Sequence, residues 1–212
     1  MSRVHITFPS DYFILEGCWH IPESAGPFPA VIVCHPHSLY GGSMSNNVIF
    51  ETCQALAQRS IAALRFNFRG VGKSGGRYGG GIDEQEDARA ALALTSSTPD
   101  IDTEKVGLAG YSFGASVALP VAVQNTEVGL LALVSPALTE SAWEQLRTYS
   151  QPVFVISGED DHLIPPEKIR EHLGNTPETK QYEIIAGADH FWQGYEAKVV
   201  EKVADYFAAG FA

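Results

Sequence analysis

"KVGLAGYSFGASVALPVAV", residues 105–123, sets a short apolar run directly against Gly110-Tyr111-Ser112-Phe113-Gly114 and then an alanine- and valine-rich stretch. The first part reads as a strand and the last as a helix. Between them lies G-x-S-x-G, in the strand–turn–helix setting that such a pentapeptide needs to carry chemistry. A turn this tight lifts the Ser112 hydroxyl above a sheet and aims the N-terminus of the helix at it. Gly110 and Gly114 leave room for strand and helix to approach. The partial positive charge of the helix end favours an anion there.

Outward from this stretch, the same order recurs. "VHITF" and "YFILEGCWHI", separated by "PSD", read as a hairpin. "AVIVC" at 30–34 is a continuous β-branched run, as expected of a strand buried on both faces. A helical pattern spans 46–59, and "IAALRFNF" at 61–68 is a fourth strand. Asp83 and Glu86 have capping-box spacing at the start of a helix that runs to about Ser96. "GLLALVS", "PVFVISG" and "QYEIIAG" are further strands, and a helix around 196–207 ends the chain. Repeated strand–helix–strand order implies an α/β fold: a mostly parallel eight-stranded sheet with helices on both faces. Residues 1–212 are expected to form one domain. Ligand sites in such sheets lie at the C-terminal ends of the strands.

"NFRGVGKSGG", 67–76, ends like a phosphate-binding loop. That loop needs a glycine where Asn67 stands, and it must open a helix. "GGRYGGG" is too rich in glycine to propagate one, so 70–81 reads instead as a mobile loop beside the site.

A serine hydroxyl needs a base. Of seven histidines, His190 in "GADHFW", after the last strand, fits the chain order Ser…Asp/Glu…His. His5 and His20 in the hairpin, His162 in a loop and His172 on a helix read as surface residues. The acid is expected after "PVFVIS", where Glu159, Asp160 and Asp161 all stand. One oxyanion donor is expected from the backbone of Phe113 and the other from "HPHSLYGG". Pro36 has no N–H, which leaves His37 or Ser38, and His37 is preferred. His35-x-His37 could pair metal ligands, but no further ligand cluster accompanies it. The expectation is therefore no metal and no cofactor. Tyr40 and Trp192 are candidate pocket walls, with Trp143 and Phe191. Arg65, Arg69, Lys73 and Arg77 could form a basic rim for anionic substrates, or could be structural and solvated charge.

"CHPHSLYGGSMSNNV", "LRFNFRGVGKSGG", "LAGYSFGASVAL", "VISGEDDHLIPP" and "GADHFW", in this order, resemble the α/β-hydrolase superfamily over the whole chain. The likeness is greatest to small bacterial members of the dienelactone-hydrolase-like group. That resemblance implies an acid third after Gly158 in G-x-x-D-x-x-[VI]-P, which selects Asp161 over Asp160. It also implies a rim turn for R-G-x-G-x-S, Arg69 to Ser74. Dienelactone hydrolases proper carry cysteine at the elbow, so their substrate does not transfer to a chain with Ser112. Dehalogenases of this fold need an aspartate there. "PALTESAWEQLRTYSQ" leaves room for one helix where relatives insert a lid, so no cap domain is expected.

A net charge of −11 argues against a general nucleic-acid binder. Three scattered cysteines form no disulfide framework, and no apolar run reaches the ~20 residues of a membrane span. The N-terminus lacks a signal-peptide pattern. The expectation is a cytoplasmic monomer or homodimer that takes a small ester and binds neither nucleic acid nor membrane. The competing expectation is a non-catalytic protein that binds a small molecule in the same pocket.

Overall fold

A computed structural model describes residues 1–174 and 179–212. Eight strands form one sheet: β1 (Ser2–Ser10), β2 (Phe13–Ile21), β3 (Phe28–Cys34), β4 (Ala62–Phe66), β5 (Ile101–Tyr111), β6 (Val128–Val134), β7 (Val153–Gly158) and β8 (Lys180–Ile185). Their spatial order is β1-β2-β4-β3-β5-β6-β7-β8. The β1–β2 and β2–β4 pairs are antiparallel and all others parallel. Among the described residues six α-helices accompany them: α1 (Asn47–Gln58), α2 (Glu84–Ala93), α3 (Phe113–Gln124), α4 (Glu140–Thr148), α5 (Pro166–Leu173) and α6 (Glu196–Phe211).

Burial explains the continuous apolar runs. In β3, Ala30, Ile32 and Cys34 pack on one face of the sheet, under α2, α3, α4 and α5. Val31 and Val33 pack on the other, under α1 and α6. Both faces are therefore dry, and alternation with polar residues disappears. Between β6 and β7 stands α4 alone, a helix of nine residues, so no cap covers the strand ends.

Three local expectations need correction. β1 runs on through Pro9 and Ser10, and the hairpin turns at Asp11 and Tyr12, with Asp11 at φ 49°. Pro9 is tolerated because β1 is an edge strand. No capping box forms at α2, whose Asp83 makes no side-chain cap bond. Instead the buried Glu84 carboxylate accepts the N–H groups of Gly79 and Gly81, both at 2.7 Å. Finally, His20 is buried rather than on the surface. Its Nε2 accepts from Arg65 Nε at 2.9 Å, and burial first, then nearby Arg65, lowers its pKa to about 4.

Candidate active site

The elbow is built by steric necessity. Ser112 has φ 54° and ψ −113°, a backbone strain of about 1–3 kcal/mol for a residue with a Cβ. Backbone bonds hold it there. Its N–H donates to Val134 O at 2.8 Å, and its carbonyl accepts from Ala115 N at 3.0 Å and Ala137 N at 3.3 Å. A Cβ on Gly110 would overlap the Gly114 carbonyl, and one on Gly114 would overlap the Cys34 carbonyl. The two glycines therefore let β5, α3 and the end of β3 meet around the serine.

His190 and Asp161 arrive on the loops after β8 and β7. Gly158 lets those loops touch, since a Cβ there would strike the Ala188 carbonyl. Asp160 N donates to that carbonyl at 2.9 Å. Asp189 Oδ1 accepts from Phe191 N at 3.0 Å and Gln193 N at 3.2 Å, closing the turn that presents His190. The Tyr111 hydroxyl donates to the His190 carbonyl at 2.7 Å. The imidazole spans the site: Nε2 lies 2.9 Å from Ser112 Oγ, and Nδ1 lies 2.8 Å from Asp161 Oδ2.

Glu159 and Asp160 are exposed, whereas Asp161 is 2% exposed. Its Oδ1 accepts from Leu163 N at 3.0 Å and Ile164 N at 2.7 Å. Burial alone would raise its pKa. The His190 ring and the Ile164 N–H outweigh burial and hold the carboxyl below its usual range. Asp161 stays ionised, so Nδ1 of His190 carries the ring proton and Nε2 is free to accept one from Ser112.

The chain end of β3 is fixed by His35. Its Nδ1 donates to Pro36 O at 2.6 Å, and its Nε2 accepts from Phe68 N at 3.1 Å. Both ring nitrogens thus tie the ends of β3 and β4 together, and burial lowers the pKa of His35 to about 4. His37 follows, ahead of a 3-10 turn at Ser38–Tyr40. Among the described residues, neither the Phe113 N–H nor the His37 N–H donates to a protein acceptor. Phe113 opens α3, where a first-turn N–H has no partner within the helix.

Side-chain surroundings change several expectations. Trp192 is 0% exposed, at φ 61°, and packs with Ile185, Ala188 and Val199 in the core beneath the site, so it is not a pocket wall. Trp143 is likewise core, stacked flat on His172 with ring centroids 5.0 Å apart. His172 is therefore half-buried rather than solvated. Tyr40 is 86% exposed and stands at the rim, 4.7 Å from the His37 ring. Phe191 is exposed and meets the His190 ring edge-on at 5.5 Å. His5 and His162 are exposed.

Of the four basic residues, Lys73 and Arg77 are exposed, solvated charge, and Arg65 and Arg69 are buried and structural. Arg65 is buried against Met44 O and the Phe50 ring. Arg69 is 4% exposed and forks onto Asp87, with a second ion pair to Asp11 at 2.9 Å. Asp87 also accepts from Ser10 Oγ at 2.7 Å. The arginine therefore clamps the hairpin turn, the loop after β4 and α2 together. Removing one partner of such a buried pair costs about 3–5 kcal/mol. Ser74, the would-be phosphate-loop serine, donates to Asn67 O at 2.7 Å, and no helix opens after it.

The 70–81 loop is pinned at several points: Gly70 N to Gly75 O and Gly75 N to Ile14 O, both at 2.9 Å, and at Glu84. It carries Tyr78, which sequence reasoning missed. The Tyr78 ring lies 5.1 Å from His37 and 5.7 Å from Phe113. The one available signal was a lone aromatic in a glycine-rich run at a strand's C-terminal end.

A mostly parallel sheet with helices on both faces, no cap, and a serine at a strand-to-helix elbow in contact with a late histidine defines an α/β-hydrolase. The chain belongs to the dienelactone hydrolase family, whose model matches residues 80–208, and the model for FrsA-like esterases matches residues 1–138. It is similar to an alpha-beta serine hydrolase homologue from Coxiella burnetii, with 30% identity, a TM-score of 0.87, and coverage of 97% of this chain and 98% of that one. It is also similar to XC6422 from Xanthomonas campestris, a serine hydrolase without lid. The identity there is 28% and the TM-score 0.84, covering 99% of this chain and 94% of that one. Protein RP471 of Rickettsia prowazekii is 29% identical over 187 residues, 84% of this chain and 78% of that protein. Among the described residues, no helix is long and apolar enough to cross a membrane.

Proposed function

We propose that this protein is a serine hydrolase that cleaves small or medium carboxylic esters, or thioesters, through an acyl-enzyme on Ser112. The observation that carries the reading is the unbroken chain Ser112 Oγ, His190 Nε2, His190 Nδ1, Asp161 Oδ2, with contacts of 2.9 Å and 2.8 Å. Membership of a family that includes esterases supports the same reading.

The ester carbonyl carbon is attacked by Ser112 Oγ as His190 Nε2 takes the hydroxyl proton. Asp161 holds the ring in the tautomer that can do so and stabilises the imidazolium. Charge that builds on the carbonyl oxygen is met by the N–H groups of Phe113 and His37 at the mouth of α3. The imidazolium returns its proton to the leaving alkoxide or thiolate. Water then attacks the acyl carbon, giving up its proton to Nε2, and the carboxylic acid leaves as Ser112 recovers its proton. These steps require no cofactor.

The lack of a cap between β6 and β7 suits short acyl chains, because little apolar surface encloses a long one. A panel of p-nitrophenyl esters from acetate to palmitate tests this. The expected kcat/KM rises over the shortest acyl chains and then levels off, as each further CH₂ left in water forfeits the roughly 0.8 kcal/mol that burial would supply. A steady rise to palmitate would contradict the open-site argument. A folded protein that turns over no ester or thioester would favour the ligand-binding alternative.

A further inference from the structure

The His37 side chain is placed to do something that its backbone role does not require. Leu39 N–H donates to His37 Nδ1 at 3.2 Å. A backbone N–H can only donate, so Nδ1 is an acceptor without a proton, and the neutral ring carries its hydrogen on Nε2. Nε2 lies 3.2 Å from the Tyr78 hydroxyl. The imidazole is therefore the donor in that contact and the phenol oxygen the acceptor. This leaves the phenol proton unused. Among the described residues, the Tyr78 hydroxyl has no other hydrogen-bond partner. A hydroxyl that accepts one hydrogen bond is polarised into a stronger donor of its own.

The position of that hydroxyl is set by the fold. The rings of His37, Tyr78 and Phe113 lie against one another, with centroids 4.8 Å, 5.1 Å and 5.7 Å apart. His37 and Phe113 are the two residues assigned above as backbone donors to the oxyanion, and neither N–H has a protein acceptor among the described residues. The stretch after Tyr78 is anchored by Glu84, which is 0% exposed and accepts from Gly79 N and Gly81 N. Gly81 in turn sits against the Phe113 ring, where a Cβ would come within 3.2 Å. Partial burial, then Glu84 and Tyr40, raise the Tyr78 pKa, which keeps the phenol protonated through neutral pH.

We propose that the Tyr78 hydroxyl is a third hydrogen-bond donor to the oxyanion, aimed by the His37 side chain acting as a positioning residue. The proposal rests on the acyl-transfer reading above. It gives the site a side-chain donor from the loop after β4, beside the two backbone donors.

The test uses p-nitrophenyl butyrate and purified wild type, Tyr78→Phe, His37→Ala and the double variant. Tyr78→Phe removes one oxygen and leaves the Glu84 clamp intact, so the thermal midpoint should be unchanged. A donor engaged in the transition state predicts a kcat loss of about 100-fold with KM within about twofold, in the range found for other oxyanion donors. His37→Ala, which keeps the backbone N–H, should lower kcat in the wild-type background and add nothing to Tyr78→Phe. Should Tyr78→Phe fail to fold, the His37→Ala loss of kcat at constant KM is read by itself. The proposal is overturned by a Tyr78→Phe kcat within twofold of wild type, by a loss confined to KM, or by losses that multiply in the double variant. A wild type inactive on every ester would sink the acyl-transfer reading and this proposal together. Wild-type turnover untouched by Tyr78→Phe would sink this proposal alone.

Discussion

His190→Ala is expected to lower kcat by on the order of a million-fold, as loss of the base does in other serine hydrolases. Among the described residues, the imidazole is the one group that touches both Ser112 Oγ and Asp161 Oδ2. Without it the hydroxyl keeps its ordinary reluctance to ionise, and among the described residues no carboxylate contacts Oγ in its place. KM should change little, because the ring adds little to ground-state binding of an ester. Folding should survive, since His190 is held by its backbone: the Tyr111 hydroxyl bonds its carbonyl, and Asp189 closes the turn around it. Ester hydrolysis by purified wild type and variant, followed over hours, measures the residual rate. A loss of less than about a hundredfold would mean that another base serves Ser112.

Asp161→Asn is expected to lower kcat by roughly 10⁴-fold with the site geometry retained, the penalty of presenting the wrong tautomer. An amide offers an N–H where the carboxylate accepts one, so the His190 ring turns its proton towards Ser112. The same substitution has a pH signature in stability. The carboxyl's pKa is lowered in the folded protein, so the stability it contributes is present above the unfolded-state value and lost as pH falls through the folded one. Denaturant melts of both proteins should therefore show a gap that is widest near neutral pH and narrows in acid. A gap that widened in acid would contradict the assigned ionisation. Asp160→Asn, by contrast, alters an exposed group outside the hydrogen-bonded chain.

The strands were legible because burial on both faces erases alternation and leaves β-branched runs such as 30–34, which no exposed segment would keep. Ser112 was legible for a different reason. The spacing of Gly110 and Gly114 is a steric demand of the elbow, and a steric demand writes itself into sequence. Asp161 was not separable from Glu159 and Asp160 by chemistry, since all three carry the same group. Only the family pattern chose it, and the fold shows why: one of the three turns inward beneath His190.

The misses share a cause. His20 and Arg65 meet because β2 pairs with β4, where Cys18 faces Arg65 and His20 faces Ala63. Their contact is a diagonal one across strands far apart in the chain, and no local pattern reports it. Trp192 follows the histidine closely enough to suggest a pocket wall. Its positive φ reverses the chain and drives the indole into the core instead. Tyr78 sits in a run whose glycines say "loop" and nothing more. Its place beside His37 depends on Glu84, a residue that reads as a helix start and is in fact the anchor of the preceding loop.

The proposed chemistry stands on Ser112 being a nucleophile activated by His190. Incubation with a fluorophosphonate, followed by peptide mass mapping, tests it most directly. One stoichiometric adduct on Ser112 is expected, formed within minutes by wild type and absent from His190→Ala under the same conditions. A folded wild type that stays unlabelled, or an adduct that forms at Ser112 as fast without the imidazole, would contradict it.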